Sequence, residues 1–477
     1  MHPLLIADRR PTGPRVLQVI DPSRGEPFAE VAGAGSAEVE LAIAAAKAAF
    51  PGWSGRPAPA RGEVLYRFAD LVRAHAEELA ALEARNVGKP IGDARWEANH
   101  AADTLRYYAG AADKFFGETI GVGKPGLDFT LRQPLGVVGL IVPWNFPLVI
   151  ATWKVAPALA CGNTAVLKPA SLTPLSALRL GELAREAGVP PGVLNVVPGP
   201  GAEVGALLAG HPDVAKIGFT GETATGRDIL TRAARTIQRV SLELGGKSPN
   251  VIFADAVRTP AELERVAKEA VASAFANSGQ DCCARSRVIV ERAVYPQLIE
   301  ALAAAARART IGDPQDPATE MGPLVSAGQR ERTEGYVAAG RAEGAEWICG
   351  GERLDRPGYF LTPAVFAGGR PGMRLVEEEI FGPVAVVLPF DTEEEAIALA
   401  NGTIYGLSGS LWTNDLKRAL RVARAIQTGV LSVNSSSSVH LQAPFGGCKQ
   451  SGLGRELGMH AMENYSETRN LYFETGR

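Results

Sequence analysis

The chain is 477 residues long, 46% hydrophobic and 21% charged, and its 49 basic residues nearly balance 52 acidic ones to leave a formal charge of −3. At about 100–200 residues per domain, this length predicts two to four domains with real cores and excludes disorder and small disulfide-stapled scaffolds. The sequence has no block of like charge to hold nucleic acid or an anionic membrane, which leaves small-molecule chemistry as the expected class.

The cysteines Cys161, Cys282, Cys283, Cys349 and Cys448 are odd in number and scattered, a usage that fits a reducing compartment. Residues Met1 to Arg10 lack the basic start, apolar core and small-residue cleavage site of an export signal, so the cytoplasm is the expected location.

In chain order, the first hundred residues predict Ala-rich helices over 36–50 and 60–86, packed on the first sheet. Residues 133–153 carry no charge and match the length of a bilayer helix, yet Pro143-Trp144-Asn145-Phe146-Pro147 would break such a span. The run reads instead as a buried strand, a turn and a buried helix over 148–160, and no membrane partner is expected. From Leu135 to about Ala254, apolar strands alternate with amphipathic helices, the sequence form of consecutive βαβ units. The strands fall at 137–143, 164–168, 193–198, 215–220, 240–244 and 251–253, with helices such as 174–187 and 222–234 between them. Ligands bind such sheets outside the carboxyl ends of the strands, where Asn145, Lys168, the Pro198-Gly199-Pro200-Gly201 turn, Thr220-Gly221 and Glu243 lie. A second α/β stretch opens with a helix over 260–277, a polar loop over 278–286 and a strand over 287–291. Alternation then continues to Asn434, with 312–323 a surface connection.

Three tempting signatures fail. Gly246-Lys247-Ser248 lacks the glycine that a phosphate-cradling loop requires at the position held by Ser241. The Gly199 to Gly205 run has one residue too many between its last glycines for the dinucleotide fingerprint. The histidines form no His-Glu-x-x-His pair and the cysteines no Cys-x-x-Cys pair, so no metal centre is expected.

The remaining chemistry is dispersed. Cys282 lies in Asn277-Ser278-Gly279-Gln280-Asp281-Cys282-Cys283, a glycine-containing loop after a helix, where a thiol is either a nucleophile or an inert buried group. A nucleophile needs a lowered pKa or a nearby base, and the sequence offers carboxylates for that task. Glu243, at a strand end before Leu244-Gly245-Gly246, is the best placed, the alternative being a solvated surface glutamate. Asn145, between two prolines that fix the backbone, is either an amide donor to a developing oxyanion or a turn cap. Lys168 before Pro169 either reaches solvent or donates to a sugar or phosphate.

In this order the elements resemble the aldehyde dehydrogenase superfamily, from about Ile20 to Phe473. The resemblance rests on Pro143-Trp144-Asn145-Phe146-Pro147, Lys168-Pro169-Ala170, Phe219-Thr220-Gly221 and Glu243-Leu244-Gly245-Gly246-Lys247-Ser248-Pro249-Asn250. It rests also on Gly279-Gln280-Asp281-Cys282, Glu378-Glu379-Ile380-Phe381-Gly382-Pro383-Val384 and Pro444-Phe445-Gly446-Gly447 followed by Lys449-Gln450-Ser451-Gly452. It implies a Rossmann-like cofactor domain over 1–115 and 135–244, an α/β catalytic domain over 245–455, and a small β-arm oligomerisation domain over 116–134 and 456–477. It further implies oxidation of an aldehyde to a carboxylic acid, with Cys282 as nucleophile, Asn145 holding the oxyanion and Glu243 activating the hydrolytic water. The resemblance also implies a second relay through Lys154 and Glu456.

For the cofactor, the resemblance points to Pro143, Trp144, Lys168, Ser171, Gly201, Phe219, Thr220, Gly221, Gly245, Glu379 and Phe381. Glu222, where a small hydroxyl residue often begins the pyrophosphate-binding helix, departs from the pattern and is expected to face solvent. Ser171 stands where NAD-preferring relatives often carry an acid, so NADP acceptance is expected beside NAD, with Ser171 and Lys168 donating to a 2′-phosphate. The resemblance places the substrate pocket at Phe146, Ile150, Trp153, Asp281, Cys283, Val439 and Phe445. An acid at Asp281 favours neutral or amine-bearing aldehydes over carboxylated ones if it faces that pocket, and has no such effect if it turns into the loop backbone. A dimer or tetramer is expected from the unpaired edge of the arm. Two rival readings are a CoA-acylating dehydrogenase, against which Glu243 speaks, and a non-catalytic binding or structural protein on the same fold.

Overall fold

The computed structural model of the chain describes residues 1–437 and 439–476. Val137–Ile141 and Thr164–Lys168 are buried along their whole length, as parallel strands covered by helices on both faces must be, and they form the middle of a six-stranded sheet. The strand order is Gly452–Leu453, Arg239–Glu243, Val214–Thr220, Val137–Ile141, Thr164–Lys168, Leu194–Val196, parallel except for the antiparallel edge made by Gly452–Leu453. The chain leaves Val137–Ile141 toward one edge and later returns to build Val214–Thr220 on its other side. That reversal opens a crevice outside the carboxyl ends of these two strands. Pro143-Trp144-Asn145 leaves the first strand there, and Gly221 the second.

A seven-stranded sheet follows in the order Glu346–Cys349, Ala364–Ala367, Val384–Phe390, Arg287–Glu291, Pro249–Ile252, Ser410–Trp412, Ser432–Val433, antiparallel only between the first two. The strand expected at 251–253 therefore belongs to this sheet and not to the first βαβ run. Gly245 and Gly246 carry the chain out of the first sheet, so continuous apolar alternation conceals a change of sheet.

The helix expected over 60–86 is two, Ala58–Ala74 and Ala76–Val87, parted at His75, whose φ of −98° and ψ of 16° leave the helical region. Ala58–Ala74 and Ile91–Ala111, the latter not singled out by the sequence reading, pack on Pro147–Ala160, a helix buried at every residue with Pro147 in its first turn, while Ala76–Val87 packs against Ile91–Ala111. Among the described residues no helix is long and apolar enough to cross a membrane.

Ser466–Glu474, Gly126–Pro134 and Thr119–Ile120 form a separate antiparallel sheet, with Phe129 and Phe473 stacked at 5.8 Å. Residues 456–465, expected in the arm, instead bury Leu457, Ala461, Met462 and Tyr465 in the core beneath the first sheet. Their apolar spacing is helical, so they pack on helices and leave only the alternating stretch after them for the arm.

Candidate active site

Helix Pro260–Phe275 ends in a tight turn in which Asn277, Ser278 and Gly279 all adopt positive φ, at 46°, 59° and 71°. Backbone so strained persists only where its surroundings hold it. Ser278 Oγ donates to the Gly322 carbonyl at 2.7 Å, the Gln280 amide donates to the Asn277 carbonyl at 3.0 Å, and Gln280 Oε1 accepts the Val325 N–H at 2.9 Å. A side chain at Gly279 would stand 2.2 Å from the Gly382 carbonyl oxygen. Cys282 emerges half-buried from this fixed loop.

The Asn145 amide donates one N–H to the Gln280 carbonyl at 2.9 Å, and the Asn145 carbonyl accepts from Asn277 Nδ2 at 3.0 Å. The proline-bounded turn is thus tied to the cysteine loop from both sides. The second amide N–H of Asn145 stays available to another acceptor.

Two cavities meet at Cys282, Glu243 and Thr220. The larger, about 440 Å³, is bordered by all seven expected pocket residues, Phe146, Ile150, Trp153, Asp281, Cys283, Val439 and Phe445. Asp93, Trp96 and Arg285 border it too, and the sequence reading missed them. Asp93 and Trp96 come from Ile91–Ala111, whose helical composition shows nothing of which face borders the site. The smaller cavity, about 170 Å³, is bordered by Pro143, Trp144, Asn145, Gly221, Gly245, Glu379 and Phe381, together with the unforeseen Gln329 and Arg332. Trp144 and Phe381 meet edge to face at 5.2 Å, and Glu379 accepts the Gly246 N–H at 2.9 Å. A Cβ at Gly245 would lie 2.3 Å from the Glu379 carboxyl, and one at Gly246 would lie 2.2 Å from the Cys282 carbonyl oxygen. The two glycines therefore permit the close approach of three segments.

Several expected residues sit elsewhere. Phe219 is buried behind Gly221, 2.6 Å from where a Cβ on that glycine would be, so its ring backs the glycine and does not border the cavity. Lys168, Ser171 and the Gly199–Gly205 run lie outside the smaller cavity and gather beside one another; a Cβ at Gly205 would be 3.9 Å from Lys168 Cδ. Gly201 opens a helical turn there, with free space over its Cα. Ser171 Oγ donates to the Gly199 carbonyl at 2.8 Å. Its proton points at that carbonyl here, so donating to a 2′-phosphate, as the sequence reading expects, requires the hydroxyl to turn. Glu222 is exposed, as expected, yet it also borders the smaller cavity. Asp281 does both things considered for it, since Oδ1 accepts the Cys283 N–H at 2.8 Å while the residue borders the larger cavity.

The charges follow from burial. Glu243 is 5% exposed, one of its oxygens has no partner, and desolvation together with the nearby Glu456 carboxylate pushes its carboxyl well above the usual range. The Cys282 thiol is held well above its ordinary value by its neighbour Cys283, by burial, and by the carboxylates of Asp281 and Glu379. Behind Glu243, Lys154 and Glu456 form a buried ion pair at 2.5 Å, the other Glu456 oxygen lacking a partner. Burial brings the Lys168 ammonium down to about 8, with the Pro169 carbonyl as its acceptor at 3.0 Å.

Comparison with known proteins follows this geometry. The model of the aldehyde dehydrogenase family matches residues 9–471. Mouse (Mus musculus) retinal dehydrogenase 2 is 44% identical over 462 residues, covering 96% of this chain and 88% of that protein. Betaine aldehyde dehydrogenase of Bacillus subtilis is 42% identical over 468 residues, covering 97% and 94%. The crystal structure of betaine aldehyde dehydrogenase from Staphylococcus aureus in complex with NAD+ superposes with a TM-score of 0.97 at 37% identity, covering 100% of this chain and 95% of that one. A family match over nearly the whole chain and relatives above 40% identity over at least 96% of it establish the relationship. The chain belongs to the aldehyde dehydrogenase family.

Proposed function

We propose that the chain oxidises an aldehyde to its carboxylic acid through a covalent intermediate on Cys282, with NAD or NADP as hydride acceptor. The observation that carries this reading is the meeting of an aromatic-walled cavity and a glycine-floored cleft at one thiol and one buried carboxyl. The cleft fits a nicotinamide dinucleotide. Thr223 Oγ1, buried in the first turn of Thr223–Ala233, has no partner, and the free N–H groups of that helix start suit a phosphate. Glu379 would hold the ribose next to the nicotinamide, Trp144 and Phe381 would border the ring, and Lys168 would take the adenosine ribose. A bound nicotinamide supplies the hydride acceptor.

The thiol, neutral at rest, must lose its proton to attack the carbonyl carbon. A carboxylate whose pKa burial has raised is a stronger base for this purpose than an exposed one, and Glu243 is that group. The thiohemiacetal oxyanion receives the free Asn145 N–H and the Cys282 backbone N–H. Glu243 passes the thiol's proton on through Lys154 and Glu456 before hydrolysis; once hydride loss has left a thioester, the freed carboxylate takes a proton from water, the water oxygen adds to the thioester carbon, and the Cys282 sulfur departs. Lys154 and Glu456 carry the proton onward.

Glu243→Gln tests this directly. The expected result is a slowed first turnover that stops at about one reduced cofactor per chain, because the variant lacks the base for the thiol and the base for the hydrolytic water alike. Undiminished steady turnover in Glu243→Gln, or any turnover in Cys282→Ala, would overturn the mechanism. Rescue of Glu243→Gln by CoA would favour the acylating alternative.

For substrate class we propose neutral or amine-bearing aldehydes. Asp93 and Asp281 face the larger cavity among the rings of Trp96, Phe146, Trp153 and Phe445, and aromatic faces next to acids suit a cation. The Arg285 guanidinium, the counterargument, spends Nη1 on the Cys283 carbonyl at 3.1 Å and Nε on Ser410 Oγ at 3.2 Å, and its remaining charge is met by the Asp281 carboxylate that it attracts. A higher kcat/KM for succinic semialdehyde than for an aminoaldehyde would overturn this. NADP acceptance rests on position 171 carrying no negative charge. The domain division at 115, 135 and 245, with the arm resuming at Ser466, and a dimer or tetramer built through the arm, are supported by the three sheets and by Phe116, Leu127, Tyr472 and Phe473, which are exposed on the arm. The scattered cysteines support a cytoplasmic location.

A further inference from the structure

The spacing of cysteines and histidines predicts no metal centre, but the turn of the loop makes three consecutive side chains converge in a way that no spacing rule covers. The Asp281 carboxylate and the thiols of Cys282 and Cys283 place their ligand atoms within 4.8 Å of one another. Two sulfurs bound to one zinc ion, each at about 2.3 Å in a tetrahedral arrangement, stand about 3.8 Å apart, a spacing that falls inside the 4.8 Å within which all three donors lie. Cys282 is free to adjust to an ion, since its side chain borders both cavities while Cys283 and Asp281 are tied together through the Cys283 N–H. The larger cavity gives an ion a route from solvent.

We propose that Asp281, Cys282 and Cys283 form a site for a thiophilic divalent cation of the zinc group, and that occupying it blocks the enzyme by sequestering the Cys282 sulfur. The set is selective, because two sulfurs and one oxygen suit zinc or cadmium and disfavour the oxygen-seeking magnesium and calcium. Each metal–sulfur bond replaces one S–H bond and releases its proton to solvent, so the closed site carries one surplus negative charge. Arg285 answers that charge. Its guanidinium is 3% exposed, it attracts the Asp281 carboxylate, and its Nη2 has no partner. Binding itself is independent of the aldehyde chemistry; only the inhibition rests on Cys282 being the nucleophile.

The test is cadmium titration of the full chain without aldehyde or cofactor, read by the thiolate-to-cadmium charge-transfer band in the ultraviolet. The expected result is one tight ion per chain with the intensity of two cadmium–sulfur bonds. Cys283→Ala and Cys282→Ala should each halve the band and weaken binding at least tenfold, Asp281→Asn should weaken binding with the band retained, and zinc should compete. On the unsubstituted protein, one equivalent of zinc should protect both Cys282 and Cys283 from iodoacetamide, mapped by mass spectrometry. A one-sulfur band, a band unchanged in Cys283→Ala, or protection of Cys282 alone would overturn the proposal. If cadmium binds with two sulfurs while aldehyde oxidation proceeds unhindered, the site stands and the catalytic assignment of Cys282 fails.

Discussion

Replacing Lys89 by methionine probes the buried charges beneath the active-site turn. Lys89, Glu83 and Glu97 have no exposed side-chain surface. The ammonium bonds Glu97, lies 4.0 Å from Glu83 Oε2, and stands 4.2 Å from the centre of the Phe146 ring. The other Glu97 oxygen accepts the Val149 N–H at 3.0 Å in the first turn of Pro147–Ala160, directly after Asn145 and Phe146. Burial and the neighbouring Glu97 push the Glu83 carboxyl up to about 8, so at neutral pH Lys89 balances Glu97 alone. Removing one partner of a buried pair costs about 3–5 kcal/mol, because the survivor stays charged and desolvated, with the ring contact contributing about 1 kcal/mol of the loss. Methionine nearly preserves the volume, so a cavity adds little. The expected outcome is a loss of about 4 kcal/mol in Lys89→Met and recovery of most of it in the double variant with Glu97→Gln, whose amide oxygen still accepts the Val149 N–H. Urea unfolding followed by tryptophan fluorescence measures this, with Trp53 and Trp153 as buried reporters. A loss in Lys89→Met below about 1 kcal/mol, the range of exposed pairs, would refute the reasoning, as would a double variant no more stable than the single one.

Further expectations concern pH, cofactor and close packing. Glu83 holds its proton in the folded state up to about 8 against an ordinary 4.5, so between these values the folded chain binds the extra proton and stability falls by about 1.4 kcal/mol per pH unit; Glu83→Gln should therefore raise Tm at pH 9 and leave it unchanged at pH 4. The Glu456 carboxylate raises the Glu243 pKa and Lys154 lowers it, so the ascending limb of the pH profile of kcat should move to lower pH in Glu456→Gln and to higher pH in Lys154→Met; limbs that stay in place would separate the pair from Glu243. Ser171→Glu should depress kcat/KM for NADP at least tenfold relative to NAD, and an unchanged ratio would remove position 171 from cofactor choice. Gly246→Ala places a carbon 2.2 Å from the Cys282 carbonyl oxygen and should abolish most turnover while binding of the dinucleotide, measured by calorimetry, persists.

Much of the site was legible in short motifs, because each packs a chemical requirement into adjacent residues. Proline on both sides of Asn145 fixes a donor, glycine after Glu243 admits a neighbouring backbone, and the side chain of Gln280, two residues before Cys282, supplies two of the bonds that hold the loop. The strands of the first sheet were legible as well, since apolar runs bounded by turns have few alternatives once helices alternate with them. Tertiary structure decided what depends on contacts between distant segments. Asp93 and Trp96 border the larger cavity only because Ile91–Ala111 lies across Pro147–Ala160, and periodicity identifies a buried face without saying what the exposed face meets. The break at His75, the passage of Pro249–Ile252 into the second sheet, and the burial of residues 456–465 in the core were hidden because local pattern records burial and not the partner that provides it. Ser171 could be read as uncharged, but where its one proton goes was settled by the Gly199 carbonyl 28 residues away in sequence. Residue type and spacing determine which chemistry the chain can support; the meeting of loops from its two large sheets determines which of those groups share a cavity, because desolvation and hydrogen bonding act only across the few ångströms that folding closes.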